Sequence, residues 1–252
     1  FKSNLGADNA TFLSKVITPT FSEGAFNRTT NSLTFDQNHF LSTTWSNTVR
    51  YNLDLNAKNQ FKFLVGTEYI KTNVDFQSTK KEGFALQTED YFTLNAGTGN
   101  TTVSGGSTGH RLFSQFARVD YNFSDKYLAA VTVRRDGSSR FGASKKYGFF
   151  PAGSLGWILS EESFLKNNKI ISDAKFRSSY GVIGNNRVSD YASYALLGTG
   201  GSNSYSSNSI FMNGSYPLSL SNPLLKWETT KELDLGLDIG FLNQRITLTA
   251  DY

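Results

Sequence analysis

The sequence predicts an all-β fold, an antiparallel up-and-down transmembrane β-barrel segment of about eight or nine strands. Three observations predict it. Apolar and polar residues alternate over stretches of about 10–16 residues, beyond the usual strand of ~5–6 and enough for the ~9–11 a tilted strand needs to cross a bilayer. Connections alternate between short and long, as inner turns and outer loops do in such barrels. Aromatic side chains gather beside the short connections, where a membrane interface favours them.

The alternation is strictest at residues 231–252. Leu233, Leu235, Leu237, Ile239 and Phe241 share one phase, with Glu232, Asp234, Gly236, Asp238 and Gly240 on the other. After a tight connection at 242–244, Ile246, Leu248, Ala250 and Tyr252 alternate with Arg245, Thr247, Thr249 and Asp251. Successive side chains leave a pleated backbone on opposite faces. This is a hairpin with one face of hydrocarbon and one of charge.

From the N-terminus, residues 1–8 open in mid-strand, and the chain stops while still alternating, so both ends are expected to be cuts in a longer sheet. Residues 9–38 are polar, Thr/Asn-rich and read as a long loop or strand extension, with a short strand near 31–35. A strand from about 40 to 55 ends with Val49, Tyr51, Leu53 and Leu55 against Arg50, Asn52 and Asp54. A turn at 56–59 leads to a return strand, 60 to about 75, with Phe61, Phe63, Val65 and Tyr69 opposite Lys62, Gly66 and Glu68. The segment 76–108 closes in AGTGNTTVSGGSTG and is expected to be flexible loop.

The strand at 111–123 sets Phe113, Ala117, Val119, Tyr121 and Phe123 against Ser114, Arg118, Asp120 and Asn122, with Phe116 out of phase. Beyond the turn 124–126, Tyr127, Ala129, Val131 and Val133 carry the apolar phase back, and Arg135 continues it. Such a cation has to snorkel to the headgroups, or the strand has to bulge. A polar excursion at 136–147 precedes a Gly/aromatic strand, 148–159. Within 160–172, EESFLKNN predicts one helical turn, with Ser160 as N-cap and Glu161 and Glu162 at its positive end. Ala174, Phe176, Tyr180 and Val182 begin the next strand, and a Ser/Asn/Gly/Tyr-rich loop fills 185–225. Tyr69, Phe141 and Phe149 are expected at the rim opposite the short turns.

Composition narrows the classes. No run approaches the ~18 apolar residues of a transmembrane helix, a test that a barrel escapes because only alternate residues face lipid. Aromatics at 14% and 22 glycines against 4 prolines suit a barrel wall with belts and close approaches. The absence of cysteine removes disulfides and thiolate metal sites. A net charge of +4 arises from interspersed signs without a basic run, so nucleic acid is not an expected partner.

No catalytic, metal or cofactor site is predicted. His39 and His110 lie on flanks that read as loop, without ligand spacing, and Glu89-Asp90 and Glu161-Glu162 lack a partner for acid–base work. The Gly-rich stretches 104–109 and 198–202 read as loops, since neither joins a strand to a helix start. The charges on the polar phase (Arg50, Asp54, Lys62, Glu68, Arg118, Asp120, Arg134, Lys175, Arg177, Asp234 and Asp238) carry both signs, and cross-strand pairing accounts for most of them. Tyr191, Tyr194 and Tyr205, in the longest loop, are the candidate substrate contacts, since such rings stack on sugars or peptides.

Two stretches go further. Residues 134–165, RRDGSSRFGASKKYGFFPAGSLGWILSEESFL, resemble the barrel region of SusC/RagA-type TonB-dependent outer-membrane transporters of Bacteroidetes. Residues 222–252, NPLLKWETTKELDLGLDIGFLNQRITLTADY, resemble a later barrel segment of that family. The resemblance covers residues 108–252 well and 1–107 loosely. It implies a nutrient importer built as a 22-stranded barrel with a plug, working with TonB and a SusD-like surface lipoprotein to take up oligosaccharides or peptides. Against that whole, residues 1–252 are expected to be one partial wall, without plug, TonB-contacting segment or closing strand. Gly137, Gly148, Gly153 and Gly156 of the motif are expected to permit close packing and bends. The alternatives are a soluble carbohydrate-binding β-sandwich, whose apolar faces would meet a second sheet, and a passive outer-membrane porin.

Overall fold

In a computed structural model of the chain, residues 1–166, 168–199, 204–207 and 210–252 are described. β1 (Lys2–Thr18) is followed by a small hairpin, β2 (Phe21–Glu23) and β3 (Phe26–Arg28), and then by β4 (Ser32–Asn56) and β5 (Asn59–Glu82). Next come β6 (Thr101–Phe123), β7 (Tyr127–Ser138), β8 (Tyr147–Ile158) and β9 (Ile171–Asn185). The short strands β10 (Leu197–Thr199), β11 (Tyr205–Ser207), β12 (Ile210–Met212) and β13 (Ser215–Pro217) precede β14 (Glu228–Phe241) and β15 (Ile246–Asp251). Among the described residues one sheet has nine strands, in the order β1-β4-β5-β6-β7-β8-β9-β14-β15. The up-and-down order follows from the tight turns, because two- to four-residue links can join only antiparallel neighbours.

Strand extends further than hydropathy indicates. Most of 9–38 is β1 and β4, β5 runs on to Glu82, and β6 begins at Thr101. The stretch 104–109 is therefore strand rather than loop, and His39 and His110 are strand residues. A backbone ladder makes no demand on side-chain polarity, and threonine suits an exposed strand as well as valine does. The cap expected for the helical turn is also corrected, although Lys166 N–H does bond Glu162 O within it. A 3-10 turn, Leu159–Glu161, follows Ile158 without any side-chain cap, and the Ser160 hydroxyl lies 3.2 Å from Asp173 Oδ1 instead.

The chain divides into two compact units. One comprises Phe1–Leu5, Trp45–Tyr69 and Arg111–Tyr252. Its inner turns are made by local chemistry. Asn56 Oδ1 accepts from the backbone N–H of Lys58 and of Asn59, each at 2.9 Å. Ser124 and Asp125 are left-handed, as are Leu242, Asn243 and Gln244 in succession. Backbone bonds link neighbouring turns: Ser124 N–H to Lys58 O, Ile158 N–H to Lys126 O and Leu242 N–H to Ile170 O. The unit's buried cluster, Phe141, Phe150 and Trp227, gathers Leu112, Val182, Val188 and Leu225 around it.

The other unit comprises Gly6–Thr44 and Ile70–His110. Its buried cluster is Leu33, Phe84 and Phe92, with Ile17 against it. Buried Asn31 imitates a strand neighbour here. Its amide donates to Phe84 O at 2.8 Å and its carbonyl accepts from Phe84 N–H at 2.7 Å, while its backbone carbonyl accepts from Gly83 N–H. Both polar ends are satisfied, as burial requires.

Candidate functional site

The first unit's sheet sorts its side chains by phase. Register aligns Phe123, Tyr127, Trp157, Phe176, Leu237 and Ala250 in one row across six strands. Val119, Val131, Gly153, Tyr180 and Leu233 form another row of the same phase. Most large apolar side chains in these rows are exposed, and Phe123 and Leu237 are half-buried. Rings accumulate toward the inner turns: Tyr51 stacks on Phe63, Phe63 on Phe61 and Phe61 on Tyr121, and Tyr127 stacks on both Phe123 and Trp157. Amphipathic rings at one level of an oily face are what a headgroup boundary selects.

Polar tips of that belt converge on one acid. Glu162 Oε1 accepts from the Tyr127 hydroxyl at 2.6 Å and from the Trp157 indole N–H at 3.1 Å, and Lys126 Nζ lies 3.4 Å from Oε2. The Tyr127 bond foremost, then the Trp157 bond and the Lys126 charge, hold the Glu162 carboxyl below its ordinary range. Sequence reasoning had Glu162 as a helix-dipole residue. The missed signal was its short separation from Trp157, which one turn of chain folds back on itself. Arg135 is resolved as well: the register runs through it unbroken, and its guanidinium lies 4.0 Å from the Tyr147 ring centroid and donates to Gln115. No bulge is needed.

On the opposite phase, charges pair. Arg177 donates to Asp238 at 2.7 Å and to Asp251 at 2.8 Å. Gly236 stands between Arg177 and Asp251 in register, and a Cβ there would lie 2.7 Å from the guanidinium carbon. The bare glycine lets one arginine span a strand. Arg134 binds Asp136 at 2.8 Å and Ser114 at 2.8 Å, with Glu68 at 3.5 Å. Arg118 grips Asp120 on its own strand. Pairing is thus partly along strands, where side chains two apart share a face, rather than wholly across them. Lys62, Arg118, Asp120, Lys175, Arg177 and Asp234 line a concavity of about 580 Å³ on this phase.

Toward the long connections, Arg140 of the RDGSSRFG stretch donates to Asp190 at 2.8 Å and to Asn186 O at 3.1 Å. Trp227 donates its indole N–H to Lys146 O at 3.0 Å. Phe141 is buried with Trp227 and so is not a rim aromatic; Val182 likewise packs on this cluster instead of continuing the oily phase. Phe150 lies over Gly148 and Gly184, whose bare backbones make room for it. Gly153 and Gly156 depart from expectation, since a Cβ at either meets nothing closer than ordinary contact.

Tyr191, Tyr194 and Tyr205 are all exposed. Tyr191 is left-handed, Tyr194 follows it in a turn, and Tyr205 lies in β11 opposite Met212. No ring contact joins them among the described residues. Of the Gly-rich stretch 198–202, Gly198 and Thr199 belong to β10 and the remainder lies outside the described residues. His39 Nε2 lies 2.9 Å from Asn9 Oδ1.

Comparison with known proteins agrees along the whole length. The family model "TonB dependent receptor-like, beta-barrel" matches residues 3–252. TonB-dependent receptor P3 of Formosa agariphila is 34% identical over 226 residues, which are 87% of this chain and 22% of that protein. TonB-dependent receptor SusC of Bacteroides thetaiotaomicron is 38% identical over 143 residues, 56% of this chain and 14% of that one. Among solved structures, the RagAB peptide importer in its "open-open" state superposes with a TM-score of 0.82 at 25% identity, covering 99% of this chain and 27% of that one. The "closed-closed" state gives 0.85 at 22% identity.

Proposed function

We propose a transport role from one premise: the chain belongs to the TonB-dependent receptor-like β-barrel family, whose members are outer-membrane β-barrel proteins. Residues 1–252 act as one segment of the wall of a SusC/RagA-type importer. The wall holds lipid on its oily phase and lines the transport path with its ion-paired phase. The observation that supports this best is the row structure: six consecutive strands keep one apolar and one charged phase in register. A soluble sandwich would have to cover those rows with a second sheet.

The full-length transporter takes up oligosaccharides or peptides, driven through TonB, with a SusD-like surface lipoprotein at its mouth. Similarity to the RagAB peptide importer supports the peptide part of that class. Tyr191, Tyr194 and Tyr205 contact the cargo, a role supported by their exposure on the long connection. No covalent chemistry and no cofactor enters this cycle. Uptake of labelled oligosaccharides and peptides by cells carrying the full-length transporter, with and without TonB, tests the reading. Loss of uptake without TonB is expected; uptake that persists, in proportion to external concentration, would make the protein a passive porin.

A further inference from the structure

We propose that the described part of the connection between β8 and β9, residues 159–166 and 168–170, is a foot that binds anionic phospholipid headgroups at the short-turn end of the wall. Its placement comes first. Glu162 is held by the tips of Tyr127 and Trp157, both on the lipid-facing phase. The turn that carries it, closed by Leu165 N–H and Lys166 N–H on Glu162 O, therefore leans to the lipid side of the wall.

Its surface is the second observation. Phe164 is 66% and Ile170 61% exposed, large apolar groups on a connection where solvent alone would favour polar ones. The neighbouring turn joins them, since Leu242 N–H bonds Ile170 O and Gln244 N–H bonds the Ser172 hydroxyl. That turn adds exposed Leu242 and Arg245.

Charge is the third. Glu162 is answered by Lys126, and Glu161 by Lys166 at 3.3 Å. Among the described residues Lys169 and Arg245 are exposed and have no acidic partner. Apolar side chains beside uncompensated cations, continuous with an aromatic belt, match an anionic interface and not a neutral one.

The test uses the full-length transporter in vesicles, with a nitroxide attached through Phe164→Cys and a water-exposed control through Leu220→Cys. The label at 164 is expected to collide with molecular oxygen in preference to an aqueous nickel chelate, and the control to do the reverse. Phosphatidylglycerol titrated into phosphatidylcholine vesicles is expected to immobilise the label at 164. Lys169→Gln and Arg245→Gln should each raise the concentration required by about fivefold. A label at 164 as open to the chelate as the control means that the foot faces the periplasm, as for a protein partner. A buried label indifferent to phosphatidylglycerol means that no anionic-lipid site exists. Either result overturns the proposal.

Discussion

Trp157 and Trp227 belong to the same unit, and each donates its indole N–H to one acceptor at close to 3 Å, Glu162 Oε1 and Lys146 O. Trp157 is nevertheless 37% exposed and Trp227 8%. The first stacks in a belt of rings on the lipid-facing phase; the second meets Phe150 edge-on and Phe141 at a tilt, inside a protein core. Identical side chains with matched hydrogen bonds thus serve two solvents. One is placed by what lipid selects, the other by what protein has to fill. The consequences of removing them should differ accordingly.

The largest expected effect is Trp227→Ala, which leaves a cavity in a packed cluster and should cost about 3–5 kcal/mol. Heat-dependent gel mobility of the intact protein reads it, and proteolysis within 186–225 should rise as well. Trp157→Ala, whose ring lipid can replace, should cost about 1 kcal/mol, chiefly the lost stacking. Equal shifts for the two would break the distinction.

Gly184→Val probes the cluster without removing a ring. It forces a branched side chain into the space of Phe150 and should cost about 1–3 kcal/mol. Gly153→Val, in open space on the lipid-facing phase, should be nearly neutral by the same gel assay.

The belt can be sharpened through pH. Because the Glu162 carboxyl is held below its ordinary range, its contribution is complete above that range and is lost as pH falls through the lowered folded value. Glu162→Gln should therefore lower the melting temperature at neutral pH, with the gap to the parent closing in acid. A gap independent of pH would show that hydrogen bonding alone, without charge, holds the belt together. One further substitution is expected to give a gain. Leu242→Gly relieves a left-handed leucine and should stabilise the hairpin by about 0.5 kcal/mol, the relief exceeding the entropy that glycine adds to the unfolded chain.

Alternation by itself determined the two faces of the amphipathic strands and the inner turns at 56–59, 124–126 and 242–244, since a pleated backbone allows only period two, but not most of β1 or the polar extensions of β4, β5 and β6. The motif stretches were enough to indicate the family. Which face is covered, and by what, was left to the tertiary structure. Phe149 and Phe150 are adjacent and so lie on opposite faces of one strand, one 61% and the other 7% exposed, and no local pattern says which of the two faces is covered. Phe150 is buried because Trp227 and Phe141 arrive from distant connections to cover it. The span of Arg177 over Gly236 to Asp251 likewise needs three strands in register before it exists. Local sterics set the phase of a strand, whereas long-range closure sets what each phase meets.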